Sequence, residues 1–438
     1  MSIGANDFAL SYYSLDDVAE DLTLANFNID RDRYILIPYI KEAMKINPDI
    51  KIWASPWTPP FWMKINNHYA SRAARAGSNR PAGISDAGVN PDERKKNGGI
   101  SGVLGLPSAG ENGLYYTATG APDFPFALMM RGFNEKKSEE KSSSPATRPD
   151  YNGMDPMQNN ADMNTAFRMT TGYLGAYANY FVKFIKAYSE EGIKISGVHP
   201  QNEPLANQVF PSCVWRAEDL TLFVGKYLGP AIEAAGLDTY IGYGTINNAD
   251  PNYVRTALND PDAKKYIKTV GFQWAGKDAI GVIGQEYPDM KFIMTEQECG
   301  NGENTWGYAE YAWRLMKHYF SKGVTIYDYW NMILPTNYTS KWGWKQNSMI
   351  SIDKEKGEII YNPEFYVMKH LGHYLQPNAV LLKTADSEPI LAFENPDKSI
   401  AIMAANIYDT PKDLTISIDG KCIAIQLPAH SFHSILWK

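Results

Sequence analysis

The 438-residue chain is poor in cysteine, has no excess of basic residues and contains no long apolar run. Its three cysteines, Cys213, Cys299 and Cys422, lie far apart without metal-ligand spacing, which argues against a zinc site and against a disulfide framework. A formal net charge of -7 argues against a nucleic-acid-binding protein, because such proteins need a basic surface. The sequence predicts no membrane span, since no run of about 18 apolar residues occurs.

What the chain does contain is a regular alternation of apolar runs and amphipathic stretches. Seven runs predict strands at 2–6, 50–55, 194–199, 239–243, 269–274, 291–295 and 324–330. The helical patterns between them include Tyr173–Tyr188, Ala217–Ala235 and Trp306–Ser321. This order is typical of a parallel α/β fold. Seven such strands are one short of an eight-stranded barrel, and Met1–Phe8 reads as the end of a strand, so we expect the missing strand upstream of Met1.

Two regions break this alternation. Residues 66–165 are rich in Gly, Ser, Asn and Pro, which predicts a long insertion after the strand at 50–55. The insertion either shapes the substrate cleft or is an ordinary solvated loop. After residue 377 short strands follow one another without helices, which predicts an antiparallel β-sandwich. We therefore predict a catalytic domain at 1–376 and a sandwich at 377–438.

A glutamate stands at the end of two of the predicted strands. Glu203 follows the apolar run at 195–201, and Glu296 directly follows the run at 291–295. The carboxyl ends of parallel strands are where α/β barrels carry their chemistry. Retaining glycoside hydrolysis needs two such carboxyl groups, one protonated to release the leaving group and one ionised to attack the anomeric carbon. Glu203 suits the acid/base role, with Asn202 able to bind the sugar 2-hydroxyl, and Glu296 suits the nucleophile.

Three alternatives remain open at this level. Either glutamate could be structural and paired to an arginine at the barrel rim. Glu298 competes with Glu296, because residues two apart on a strand face the same side, although Glu296 lies nearer the end of the apolar run. His199, inside the strand that precedes Glu203, is better interpreted as a buried core histidine than as a catalytic one.

Four further segments carry a family resemblance. They are Ile3–Phe8, Ala54–Lys64, Tyr329–Asn331 and Trp342–Ser348. With the two glutamate segments they make the chain resemble glycoside hydrolase family 30, which contains glucosylceramidases, β-1,6-glucanases and some xylanases. The resemblance implies a (β/α)8 TIM-type barrel, here without its first strand, and a C-terminal antiparallel β-sandwich. It also favours Glu296 over Glu298 as the nucleophile.

The resemblance implies the surroundings of the sugar as well. The residues expected to contact substrate, besides Asn202, are Asp7, Trp57, Trp274, Trp330 and Trp342. Asp7 would bind the outer hydroxyls of the terminal sugar, Trp57 would line its subsite, and Trp330 would form the floor. No cofactor and no metal are implied.

One segment departs from part of the family. Glucosylceramidases usually carry a His-Trp-Tyr triplet where this chain has Gln273-Trp274-Ala275. That change is better tolerated in the β-1,6-glucanase-like branch.

The resemblance therefore implies retaining hydrolysis of β-glucosidic bonds, in a β-1,6-glucan or a related β-glucoside. The expected partner is a carbohydrate substrate, and the expected location is secreted, periplasmic or in the cell envelope. The alternatives are a non-catalytic carbohydrate-binding relic, a glucosylceramidase and a xylan-active enzyme.

Overall fold

The computed structural model describes residues 1–73, 152–160, 164–343, 345–385 and 388–438, together with the backbone of two short strands at 115–116 and 122–123. Most of the predicted insertion at 66–165 and Trp344 lie outside the described residues. The chain divides into two compact units. Unit 1 comprises Met1–Ile293 and Thr339–Trp344, and unit 2 comprises Met294–Tyr338 and Lys345–Lys438.

The strands, in chain order, are β1 (Ser2–Ile3), β2 (Ile52–Pro56), β3 (Tyr115–Tyr116), β4 (Pro122–Asp123), β5 (Ile195–Val198), β6 (Tyr240–Ile246), β7 (Ile267–Gln273), β8 (Lys291–Glu296), β9 (Val324–Tyr327), β10 (Ile333–Pro335), β11 (Ile350–Asp353), β12 (Glu358–Tyr361), β13 (Val380–Leu381), β14 (Ile390–Glu394), β15 (Ile400–Asn406), β16 (Lys412–Ile418), β17 (Lys421–Leu427) and β18 (Ser431–Trp437). The α-helices are α1 (Asp30–Tyr34), α2 (Leu36–Ile46), α3 (Thr171–Glu190), α4 (Ala217–Phe223), α5 (Gly229–Ala234), α6 (Asn252–Asn259), α7 (Pro261–Lys264), α8 (Ile280–Glu286), α9 (Trp306–Ser321) and α10 (Pro363–Tyr374).

All seven predicted strands of the α/β region are present and join one sheet, in the order β1-β2-β5-β6-β7-β8-β9. The pairs β1–β2, β2–β5, β5–β6 and β6–β7 are parallel. This chain-order arrangement brings the carboxyl ends of successive strands to the same edge of the sheet. The strand predicted at 269–274 ends at Gln273, because Trp274 has a positive φ of 47° and starts a short 3₁₀ helix.

The helix predicted at Ala217–Ala235 is interrupted. Helices α4 and α5 are separated by a π-helical turn at Val224–Leu228. Pro230, near the start of α5, has no N–H to donate to the preceding turn. Gly225 within the π turn also packs closely, since a Cβ there would lie 2.9 Å from the Ala263 nitrogen.

Unit 2 contains the predicted sandwich strands. Strands β13, β14, β15 and β18 form an antiparallel sheet, and β16 pairs with β17. Alternate residues of β15 enter two different cores: Ile402 packs with the β16–β17 pair, and Met403 packs with α9 and α10. Because both faces of this sheet are covered, the sequence of β15 is almost wholly apolar. The three-stranded sheet β10-β11-β12 was not among the predicted elements.

The described residues on either side of the insertion are tied together. The Asn152 side chain donates to the Arg72 carbonyl at 2.7 Å and to the Val209 carbonyl at 2.9 Å. Asn160 N–H donates to the Ser71 carbonyl at 2.9 Å. The described residues before and after the insertion therefore lie next to each other in unit 1.

The three cysteines are free thiols, with Cys213 and Cys299 buried and Cys422 exposed. In the part of the chain that the structure describes, no helix is long and apolar enough to cross a membrane.

A histidine in unit 2 joins a helix to a loop. His430 Nδ1 lies 2.7 Å from Glu310 Oε1 on α9, and its Nε2 lies 2.9 Å from Asp409 Oδ1. These hydrogen bonds, with Glu310 as the larger contributor, raise the pKa of His430. A raised folded-state pKa stabilises the fold fully below the unfolded value of about 6.5, and the contribution disappears as pH rises through the folded value.

We therefore expect His430→Gln to lower the melting temperature more at pH 5.5 than at pH 9. Differential scanning fluorimetry at the two pH values measures this. The control is His373→Gln, at an exposed histidine of α10 whose ring contacts Tyr374. An equal loss at both pH values for His430→Gln would contradict the ion-pair explanation.

Candidate active site

The Asn202–Glu203 pair stands where the chain leaves β5. Asn202 N–H donates to the Pro56 carbonyl at 2.8 Å, so the chain stays beside β2 after β5 has ended. Glu203 then adopts a positive φ of 47°, and Pro204 follows. A positive φ is uncommon for a residue with a side chain, and such conformations cluster at functional sites. Asn202 is buried and Glu203 is partly buried.

Residues from the next two strands hold this pair. Gln273 Nε2, at the end of β7, donates to Glu203 Oε1 at 3.2 Å and lies 3.4 Å from Asn202 Oδ1. The Thr245 hydroxyl, on β6, donates to Asn202 Oδ1 at 2.9 Å and accepts the Glu203 N–H at 3.1 Å. Thr245 and Gln273 are fully buried. Three strand ends thus orient the Asn202 amide and the Glu203 carboxyl.

Burial raises the pKa of Glu203 to about 7, and the hydrogen bond from Gln273 partly opposes this shift. A carboxyl with this pKa keeps its proton at mildly acidic to neutral pH. Such a group can act as a general acid and then, once ionised, as a general base.

The predicted sugar-contacting residues of unit 1 differ in their contacts and in their exposure to solvent. Gln201 Nε2 donates to the Trp57 carbonyl at 2.8 Å, which ties Trp57 to the Glu203 segment, and the Trp57 ring packs against Phe210. Asp7 is 2% exposed, in the loop after β1. Trp274 follows Gln273 directly and is partly exposed.

Trp342 is 3% exposed, and its contacts are with another aromatic residue. Its Nε1 donates to the Tyr12 hydroxyl at 3.3 Å, and the two ring centroids are 5.6 Å apart. Burial raises the pKa of Tyr12 to about 12, so its hydroxyl stays protonated. No local pattern predicts this pairing, because Tyr12 and Trp342 lie far apart along the chain.

The two competing glutamates lie in unit 2, one at the end of β8 and one two residues beyond it. Glu296 is the last residue of β8 and is 7% exposed, and Glu298 is 3% exposed. Tyr311, on α9, donates its hydroxyl to Glu298 Oε2 at 2.5 Å. Glu298 is therefore anchored to α9.

Trp330 and Asn331 follow β9 in unit 2. Trp330 is partly buried, and the Asn331 amide donates to Gln346 Oε1 at 2.5 Å. Among the described residues, no group of three or more His, Cys, Asp and Glu side chains is arranged to hold a metal ion.

Comparison with known proteins identifies the family. The family model described as the glycosyl hydrolase family 30 TIM-barrel domain matches residues 1–82 and 145–375. The model of the family 30 beta sandwich domain matches residues 380–435. The chain belongs to glycosyl hydrolase family 30. The family resemblance, the barrel-plus-sandwich fold class and the assignment as a glycoside hydrolase are thereby confirmed, and the domain boundary at 376 and 377 stays a prediction.

Relatives of this family 30 enzyme carry two kinds of name. The chain is 24% identical to putative glucosylceramidase 3 of Caenorhabditis elegans, covering 100% of this chain and 71% of the relative. It is 23% identical to endo-1,6-beta-D-glucanase neg1 of Aspergillus fumigatus, covering 95% and 72%. Among solved structures, the endo-beta1,6-glucanase BT3312 is similar with a TM-score of 0.70 and 24% identity, covering 100% of this chain and 81% of that one.

His199 of this family 30 enzyme is a core histidine, as predicted. It is fully buried, its Nδ1 lies 3.2 Å from the Gly244 carbonyl, and its ring centroid is 4.8 Å from that of Trp53. Burial lowers the pKa of His199 to about 3, so the ring is neutral at ordinary pH. Gly242 makes room for it, since a Cβ there would lie 2.2 Å from the ring.

Lys64 is a residue whose role the sequence did not reveal. It is fully buried, and its Nζ donates to the carbonyls of Tyr69, Ala70 and Ser212 at 2.9, 2.9 and 2.6 Å. Burial lowers the pKa of Lys64 to about 7. Only the protonated ammonium offers three N–H donors, so Lys64 can donate to all three carbonyls only in that form. Lys64 thereby fastens the segment after β2 to the segment that follows Glu203.

We expect Lys64→Met to lower the free energy of unfolding by about 3 kcal/mol, because it removes three hydrogen bonds from one buried ammonium, although each carbonyl keeps one other donor. Urea-induced unfolding followed by tryptophan fluorescence measures the change. Lys51→Met, at an exposed lysine just before β2, is the matched control and should change little. Equal stability of the two variants would show that the three hydrogen bonds do not stabilise unit 1.

Proposed function

We propose that this family 30 enzyme hydrolyses β-1,6-glucosidic bonds with retention, using Glu203 as acid/base and Glu296 as nucleophile. The observation that carries the proposal is the hydrogen bond of Gln273 to Glu203. It provides a neutral donor beside a carboxyl whose pKa is raised to about 7 by burial. A cationic partner would instead lower that pKa and remove the proton that the leaving group needs.

The first step forms a glycosyl-enzyme ester. The Glu296 carboxylate attacks the anomeric carbon while the bond from that carbon to the glycosidic oxygen breaks. Glu203 gives its proton to this oxygen, so that the leaving sugar departs as an alcohol and Glu203 becomes a carboxylate. The Asn202 amide, oriented through its Oδ1 by Thr245 and Gln273, is suited to donate from its nitrogen to the sugar 2-hydroxyl.

The second step releases the product. Water attacks the anomeric carbon and passes a proton to the Glu203 carboxylate, and the ester bond to Glu296 breaks. Glu203 is protonated again and Glu296 is again a carboxylate, so the cycle closes without a cofactor. Two inversions at the anomeric carbon give overall retention.

Two observations support Glu296 over Glu298 as the nucleophile. Glu296 ends β8 itself, whereas Glu298 lies beyond the strand. Glu298 also accepts the short hydrogen bond from Tyr311, which holds its carboxyl in place. We infer that Glu298 has a structural role.

The β-1,6 linkage is supported by the segment Gln273-Trp274-Ala275. It departs from the His-Trp-Tyr triplet of glucosylceramidases, and a fungal endo-1,6-β-glucanase is among the relatives. The sugar-contacting roles of Asp7, Trp57, Trp330, Trp274 and Trp342 belong to the same proposal. Export from the cytoplasm is a further proposal from the family resemblance, and cell fractionation tests it.

We expect the chain to release reducing ends from a linear β-1,6-glucan faster than from xylan, and to cleave glucosylceramide poorly. Glu296→Gln should lower kcat/KM on the glucan by about 10³-fold or more, because the nucleophile is lost. Glu298→Gln is the matched control at the same strand end and should keep most of the activity. Retained activity in Glu296→Gln with loss in Glu298→Gln would reverse the assignment, and faster cleavage of glucosylceramide would overturn the substrate.

The acid/base role predicts a pH dependence. Glu203 must be protonated for the first step, so kcat/KM should fall as pH rises above about 7. Gln273→Leu removes a donor that stabilises the carboxylate, and the fall should move to higher pH. A pH profile of kcat/KM measures both effects, with the exposed Gln285→Leu as control. A fall that stays in place or moves to lower pH in Gln273→Leu would contradict the role given to Glu203.

A further inference from the structure

A buried carboxyl that the proposed reaction does not use lies in unit 2. Glu364 is the second residue of α10 and is 1% exposed. Its Oε2 accepts from Asn347 Nδ2 at 3.1 Å, and its Oε1 accepts from Gln297 Nε2 at 3.4 Å. Burial raises the pKa of Glu364 to about 7, and the hydrogen bond from Asn347 opposes the shift. Burying an acid is costly, and an apolar residue of the same size would fill the space without that cost.

The first partner, Gln297, stands between Glu296 and Glu298. It is 1% exposed, its Oε1 accepts from the Tyr327 hydroxyl at 2.8 Å, and its N–H donates to the Asp328 carbonyl at 3.1 Å. With the bond to Glu364, both ends of its side-chain amide and its backbone N–H are held. Gln297 directly follows Glu296, the last residue of β8. Holding the side chain and the backbone N–H of Gln297 therefore restrains the backbone from which the Glu296 side chain projects.

The second partner, Asn347, holds the segment that follows Glu298. Its Oδ1 accepts from the N–H groups of Gly302 and Asn304 at 2.8 and 3.3 Å, and its own N–H donates to the Cys299 carbonyl at 2.6 Å. Gly300 lies against it, since a Cβ there would be 2.6 Å from Asn347 Nδ2. The two oxygens of Glu364 thus reach the end of β8 on one side and the loop beyond it on the other.

We propose that Glu364 is a positioning residue that aims the Glu296 carboxylate by holding Gln297 and Asn347. The proposal rests on the role of Glu296 as nucleophile proposed above. Glu364 itself neither accepts nor donates a proton in the reaction. It acts through the strand end, and its loss should slow attack on the anomeric carbon more than it weakens sugar binding.

The experiment is the inactivation of the full chain by a 2-deoxy-2-fluoro-β-glucosyl fluoride. Glu296 displaces fluoride from the anomeric carbon, and the resulting ester accumulates because the 2-fluoro group slows its hydrolysis. The labelled peptide is identified by mass spectrometry. The inactivation rate constant reports the attack, and the half-saturating inhibitor concentration reports binding.

The variants are Glu364→Met, which removes both acceptors, and Glu364→Gln, which keeps the shape and one acceptor oxygen. Glu358→Gln, at an exposed position of β12, is the control. We expect Glu364→Met to inactivate roughly 10–100-fold more slowly with half-saturation nearly unchanged, and Glu364→Gln to recover part of the rate. Glu364→Gln combined with Gln297→Leu should lose less than the two separate effects together, because both act through one hydrogen bond.

An inactivation rate equal to that of the parent in folded Glu364→Gln and Glu364→Met would overturn the positioning role. So would a loss confined to half-saturation, or separate effects that simply add. Label on a residue other than Glu296 in the parent chain would instead overturn the proposed nucleophile, and the role of Glu364 would fall with it. If Glu364→Met does not fold, the Glu364→Gln and Gln297→Leu pair decides the question.

Discussion

The buried strand ends of this enzyme depend on hydrogen bonds from neutral amides. A polar group at the carboxyl end of a buried strand loses its contact with water, and it must find a partner or cost several kcal/mol. Gln201, Gln273 and Gln297 supply that partner at three different strand ends. An amide orients a carboxyl without carrying a charge, so it leaves the pKa of that carboxyl free to be raised by burial. An arginine at the same place would orient the carboxyl equally well and would fix it in the ionised form.

Burial has the same effect on the pKa of Glu203 and of Glu364, although we propose different roles for the two carboxyls. Burial raises the pKa of both to about 7. Glu203 is partly exposed at a backbone turn with positive φ, where substrate and water could reach it. Glu364 is sealed at the start of a helix and accepts hydrogen bonds from two side chains that are themselves buried. A raised pKa by itself therefore does not mark a proton donor; access to the carboxyl does.

Local sequence pattern is enough to predict the seven strands of the α/β sheet, the sandwich and several helices, but not the sheet β10-β11-β12. Strands β1, β2 and β8 end at or just before a glycine, a proline and a glutamate, and α9 begins and ends where the periodicity predicts. The glutamates at 203 and 296 were found because their position relative to those runs is local information. The hydrogen-bond partners of the site residues, in contrast, are distant in the sequence. Gln273 meets Glu203, and Lys64 meets the Ser212 carbonyl, only after strands distant in the sequence have paired in a given register. A lysine in an aromatic segment also gives no sign that it will be fully buried.

The hydrogen bonds that join the two ends of the insertion have a consequence for the evolution of this enzyme. They link Asn152 to Arg72 and Asn160 to Ser71. When the two ends of an inserted segment are held next to each other by hydrogen bonds, the length of the segment does not change the positions of the elements around it. The closure entropy of a flexible segment grows only with the logarithm of its length, about 0.6 kcal/mol for each doubling. A junction of this kind therefore tolerates inserted segments of different lengths in evolution while β2, Lys64 and the Glu203 segment keep their places. The same junction is an attachment point at which new recognition elements could be grafted onto an unchanged scaffold.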